Sequence, residues 1–357
     1  MNAAARRELW GRLRTAGLVA GEVPERTAFP WFIRGMLGIA GWIGALFIFG
    51  FIGAAFAMVM DNAGAAAIAA VICCAGAYAI FLLAAHNDFA SQFGLATGLV
   101  GQILFAVAIF QQFDAEESLA YGLFFCVEAA LTFLMPNFIH RVFTTVTAVI
   151  AFSLGFVQAG LHGLALPLVV TGCALVWRGE LRLAARAELW RPVGYGLALG
   201  TLQTAATPLL GGEMLHLFRR NGGGWLQQYG LEVGTLLVAM VFLAVTVQIL
   251  RELEIEISSR EGGGILACAV LAMGVSFPAH GLAAALLILI LGFAGGNRVL
   301  FGLGLLAVAS FLGHYYFQMR ETLLFKSMIL GATGAFLLGS RWVLSRLFPT
   351  REARRHA

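Results

Sequence analysis

AGAAAIAAVICCAGAYAIFLLAA, residues Ala63–Ala85, is an unbroken run without a single charge. At a rise of 1.5 Å per residue it makes a helix about 34 Å long, enough to cross a hydrocarbon core of about 30 Å. Eleven similar stretches accompany it: Met36–Met60, Gln92–Phe110, Ser118–Met135, Val142–Gln158, Leu161–Trp177, Val193–Leu210, Leu231–Leu250, Gly264–Phe277, His280–Ala294, Val299–Phe317 and Thr322–Leu344. Almost every charge falls between them. In lipid the backbone must satisfy its own hydrogen bonds, so the expected fold is all-α, a polytopic transmembrane bundle of about 12 spans. Gly264–Phe277 and His280–Ala294 are short for full crossings and flank Pro278. They read either as two spans or as a re-entrant pair, which would leave ten spans.

Composition agrees. The chain is 60% hydrophobic and 12% charged, with a mean hydropathy of +0.86, far outside soluble norms. A pI near 9.0 raises the question of nucleic acid, but the basic residues form no single stripe and no nucleic-acid partner is expected. They sort by loop. With the N-terminus placed inside, 19 of 22 arginines fall in inner segments, and only Arg219, Arg220 and Arg320 fall outside. That asymmetry predicts a multi-pass protein of a bacterial cytoplasmic (inner) membrane, with both termini cytoplasmic. The lipid bilayer is then its first partner.

Five segments follow. Residues 1–35 form a cytoplasmic or interfacial N-terminal segment, with Arg6–Leu18 read as a short helix stopped at Gly17 or Gly21, or else as a basic tail. No cleavable signal peptide is expected, the first span acting as the insertion signal. Residues 36–177 form a first six-span half, 178–192 a charged cytoplasmic linker helix, 193–344 a second six-span half, and 345–357 a basic cytoplasmic tail. Six plus six resembles the plan of major-facilitator carriers. However, the loop after the second span reads His86-Asn87-Asp88-Phe89-Ala90-Ser91, where those carriers place a basic Gly-Asp-Arg-type motif. Small-residue stripes such as Gly94, Gly98 and Gly101, or Gly194, Gly196 and Gly200, let helices pack closely.

Ionisable groups in mid-bilayer cost roughly 2.5–3.5 kcal/mol on insertion scales and are candidate sites by default. Glu128 stands ten residues into its span with no basic residue within four positions, and is expected to face the bundle interior. Lys326 is the only lysine, four residues into the last span. An ion pair between the two is geometrically open; the alternative has Lys326 snorkelling to the surface while Glu128 meets a hydroxyl or water. Gln102 and Gln203 sit mid-span, and Tyr315 and Tyr316 close the eleventh. These six residues are the candidate intramembrane polar site. The tyrosines read equally well as interfacial anchors, the amides as helix glue. Cys73, Cys74, Cys126, Cys173 and Cys268 lie inside spans and read as small buried apolar residues. The seven histidines are scattered, with no metal-ligand spacing, and the serines lack nucleophile-elbow surroundings. No metal, cofactor or catalytic residue is expected, and the protein is read as a non-enzyme.

The C-terminal third resembles the bacterial membrane family called domain of unknown function 4401. The resemblance rests on Leu291-Gly292-Phe293-Ala294-Gly295-Gly296-Asn297-Arg298, Leu303-Gly304-Leu305-Leu306, His314-Tyr315-Tyr316-Phe317, Thr322-Leu323-Leu324-Phe325-Lys326-Ser327 and Arg341-Trp342. Pro30-Trp31 ahead of a Gly-rich first span is similar too. The family carries no established activity, so the resemblance transfers no catalytic residue. It implies a genomic neighbour, a small membrane-anchored envelope protein with a Gly-Asp-Tyr-containing motif. That implication favours a non-catalytic subunit or scaffold of an envelope membrane complex; the alternative is a permease or lipid-handling transporter using Glu128 and Lys326.

The arginine asymmetry generates a direct prediction. In a cysteine-free background, single cysteines replacing Glu188 and Gly222 should be labelled by an impermeant maleimide from opposite faces of sealed vesicles. Labelling from the same face would refute the arrangement.

Overall fold

A computed structural model describes residues 3–17, 61–84, 87–113, 118–180, 182–210, 225–277 and 281–318, with a few single positions besides. Among these residues the structure is all-α. Eleven helices follow in chain order: α1 (Ala3–Thr15), α2 (Ala63–Leu83), α3 (Asp88–Gln112), α4 (Ser118–Leu134), α5 (Phe138–Gln158), α6 (Ala165–Arg178), α7 (Ala187–Leu210), α8 (Trp225–Glu252), α9 (Arg260–Ser276), α10 (Leu282–Ala294) and α11 (Arg298–Gln318). Five of them, α2, α3, α5, α8 and α11, are long and apolar enough to cross a membrane; α4, α6 and α10 are shorter apolar helices. The expected spans Met36–Met60 and Thr322–Leu344 lie outside the described residues.

Asparagine starts four of these helices. The side chains of Asn62, Asn87 and Asn137 accept from the backbone N–H three residues on, at 3.0, 3.1 and 3.0 Å. Each thereby satisfies a donor that the first turn leaves orphaned. Asn297 does the same for Val299 and Leu300 at the head of α11, and also bonds the Tyr195 hydroxyl of α7. One amide thus fixes both a helix start and the neighbour it packs against.

On α2, side-chain size is distributed the reverse of a water-soluble helix. On α2 the buried positions are Ala66, Ala70, Cys74, Ala77 and Phe81, spaced four, four, three and four apart. Ile68, Ile72 and Leu83 point away from the protein, Leu83 at 88% exposure against 0% for Ala70. Phe293 and Phe317 are outward-facing on α10 and α11. In water this arrangement would forfeit about 1.5–3 kcal/mol for each large side chain left outside. In lipid it costs nothing and brings backbones close, so the molecule is a multi-pass membrane protein.

Two cores result. One joins α2, α3 and α4 through Cys74, Ala77, Phe81, Leu95, Leu131 and Met135. The larger one centres on α10, whose Ala285, Leu287 and Ile288 are fully buried among α6, α7, α8 and α11. At 13 residues α10 is about 20 Å long, short of a full crossing. It is sheltered by protein on nearly every side. Its lead-in turns on Gly281, at φ +93°, whose α-carbon lies against the ring of Phe311 where no Cβ would fit.

The charged linker differs from expectation. Instead of a surface helix over 178–192, α6 ends at Gly179, a single 3₁₀ turn spans Ala184–Arg186, and α7 begins at Ala187, carrying Pro192 within it. Proline has no N–H to give the Glu188 carbonyl one turn back. The Arg141 guanidinium of α5 supplies the missing donor at 2.9 Å. Arg178 pairs with Glu252 and Arg191 with Glu180, gathering the ends of α5, α6, α7 and α8 at one charged end. The cysteine expectation also needs correcting: Cys74 and Cys173 are buried, but Cys126 and Cys268 face outward, a lipid-side position that their apolar character tolerates. At the N-terminus, α1 stops before Gly17, which adopts φ +69°.

Candidate functional site

Two i, i+4 pairs, reflected across the turn that joins α4 to α5, build the most buried polar cluster among the described residues. Glu128 and Thr132 face inward from α4; His140 and Thr144 face inward from α5. The turn between them holds Pro136 and the capping Asn137, so the two helices run antiparallel with these faces opposed. Thr132 Oγ1 lies 2.9 Å from Thr144 Oγ1 and 2.9 Å from the Glu128 carbonyl, while Thr144 Oγ1 lies 3.0 Å from the His140 carbonyl. From α3, Gln102 Nε2 meets His140 Nε2 at 3.2 Å. Gly98, one turn earlier on α3, makes room: a Cβ there would run into the imidazole. Phe81 of α2 closes the other side, its ring edge-on to His140 with centroids 5.9 Å apart. Cys74 of α2 lies within electrostatic reach of the Glu128 carboxylate.

The cluster is dry. Glu128, His140 and Thr144 are completely buried and Gln102 and Thr132 nearly so. Among the described residues, neither Glu128 carboxylate oxygen and not His140 Nδ1 has a hydrogen-bond partner. Glu128 lies one turn to one side of the threonine contact and His140 one turn to the other. No hydrogen bond joins the Glu128 carboxylate to the His140 ring. General acid–base pairs need heavy-atom contact near 3 Å, so this is a polar column with a titratable group at each end. Its hydrogen bonds bridge three helices.

Of the six residues singled out from sequence, Glu128 and Gln102 belong to this column. Gln203 does not: it is exposed on α7, bonds Thr207, and lines a cavity at the end of α5–α8 opposite the ion pairs. Tyr315 is 40% exposed and Tyr316 half-buried on α11, a helix that packs chiefly on α10. Lys326 lies outside the described residues, and so does any pairing of it with Glu128. His140, Thr132 and Thr144 were not singled out from sequence. Their signal is the reflection itself, polar residues at matching distances on either side of a capped turn.

The chain matches the family described as domain of unknown function (DUF4401) over residues 30–347, and it belongs to that family. No curated protein and no solved structure matches it.

The column makes a measurable prediction. Gln102→Leu deprives His140 of its Nε2 partner and should cost about 1–3 kcal/mol of stability. Glu128→Gln keeps the side-chain shape without an ionisable group and should cost less than about 1 kcal/mol. Thermal unfolding in detergent micelles measures both; a Gln102→Leu protein as stable as the parent would show that the column holds nothing together.

Proposed function

We propose that this member of the DUF4401 family is a non-catalytic integral subunit or scaffold of a bacterial envelope membrane complex, seated in the inner membrane with about twelve spans and both termini in the cytoplasm. One observation carries the reading: the polar residues that lipid makes expensive are closed inside the α2–α5 bundle, where they join helices and, among the described residues, line no cavity. The arginine asymmetry supports the orientation. The implied neighbour, a small membrane-anchored envelope protein, supports a complex. The short α9 and α10 form either two crossings or one re-entrant hairpin, and α10's shelter within protein supports the hairpin.

A second reading, a permease or lipid-handling protein, is favoured by the cavity that Gln203 lines. On that reading Glu128 and Lys326 form the working pair and the column carries protons between conformations.

Copurification separates the two. Tagged protein extracted from native membrane should bring down a small membrane-anchored protein in constant ratio, stable to dilution and salt. A lone chain that instead drives solute or lipid across proteoliposomes, losing that activity in Glu128→Gln or Lys326→Met, would replace the subunit reading with the carrier.

A further inference from the structure

The far end of α5–α8 contains a cavity of about 400 Å³, within the range of small-molecule sites. Its wall begins with a backbone contact. The loop His162-Gly163 lies directly on α8, where Gly163 abuts the carbonyl of Gly230, and Gly234, one turn on, abuts the carbonyl of Gly163. No Cβ fits at any of the three, so a small-xxx-small pair that elsewhere seats a second helix here seats a loop. That seating holds α6 and α8 at a fixed spacing and leaves the cavity between them and α5 and α7.

The polar groups of the wall are of one kind. Ser153, Gln203, Thr204, Thr207, Gln227 and Gln228 line it alongside leucine, valine and isoleucine, with His162 as the one ionisable side chain among the described residues. None of the described lining residues is Asp, Glu, Lys or Arg. The Ser153 and Thr204 hydroxyls bridge α5 and α7 at 3.0 Å. Pro208, inside α7, has no N–H to give the Thr204 carbonyl, and both residues line the cavity. The side-chain amides and hydroxyls both give and accept hydrogen bonds. A charged ligand would lose its hydration here and meet no countercharge among the described lining residues.

We infer that this cavity binds an uncharged polyhydroxyl group, such as the glycerol or sugar headgroup of a membrane amphiphile or the corresponding free polyol. The inference does not rest on the subunit reading, since a lipid-holding subunit and a carrier both accommodate it; copurification tests that reading separately.

The test uses the full chain in phosphatidylcholine nanodiscs and a diazirine-bearing monoacylglycerol as photoprobe, with modified residues located by mass spectrometry. Labelling is expected within 150–166, 203–208 and 227–235, competed by monoolein but not by oleate, whose carboxylate carries charge. Competition by free glycerol or glucose, with none by monoolein, would assign the same site to a soluble polyol. Gln203→Leu removes one exposed hydrogen-bonding group and should weaken competition about tenfold. Thr207→Trp fills the cavity and should abolish labelling, whereas Tyr315→Phe on α11 should leave it unchanged. Oleate competing as well as monoolein, or labelling that ignores Gln203→Leu, would overturn the inference, even if Thr207→Trp fails to fold.

Discussion

Every backbone N–H and C=O inside a hydrocarbon layer must find its partner within the protein, and that constraint organises this chain. It demands helices, and it removes the hydrophobic reward for burying large side chains. Helix contact then rests on close approach. On α2 alanine and cysteine turn inward and isoleucine and leucine outward. On α7, Gly196 and Gly200 bring the backbone against Thr145 and Val149 of α5. The same rule lets a loop sit on Gly230 and Gly234 of α8 as if it were a helix.

Where proline breaks the rule, the structure answers it in two ways. At Pro192 the freed Glu188 carbonyl is taken by Arg141 from a neighbouring helix, beside the ion pairs that tie α6, α7 and α8. At Pro208 the freed Thr204 carbonyl belongs to the wall of a cavity. One proline is absorbed into architecture, the other lines a cavity. Two polar regions are thereby separated: a sealed column among α2–α5 and a cavity among α5–α8.

The class and most element positions were legible in the sequence because uncharged runs are local signals. Ser118–Met135 became Ser118–Leu134, and Val299–Phe317 became Arg298–Gln318. The start of α7 was not legible. Pro192 argues for a helix beginning after it, and only Arg141, distant in sequence, makes a beginning at Ala187 tolerable. Glu128 stood out because mid-span charge is rare, whereas His140 looked like one of seven scattered histidines until α4 and α5 folded against each other. Gln102 and Gln203 look alike as mid-span amides. Their helices turn them to different places, and the flanking glycines of α3, Gly98 and Gly101, were the one local hint of which amide is buried.

The central claim is the reversed distribution of size, with lipid against the large residues and protein around Glu128. It is tested most directly by exposing the unmodified protein in nanodiscs to a membrane-soluble diazirine and mapping carbene insertion residue by residue. The account predicts insertion at Ile68, Ile72, Leu83 and Phe293, and none at Ala66, Ala70, Glu128 or His140. Insertion at Glu128 and Ala70 with protection of Ile68 and Ile72 would mean that these helices are turned the other way round, and would contradict it.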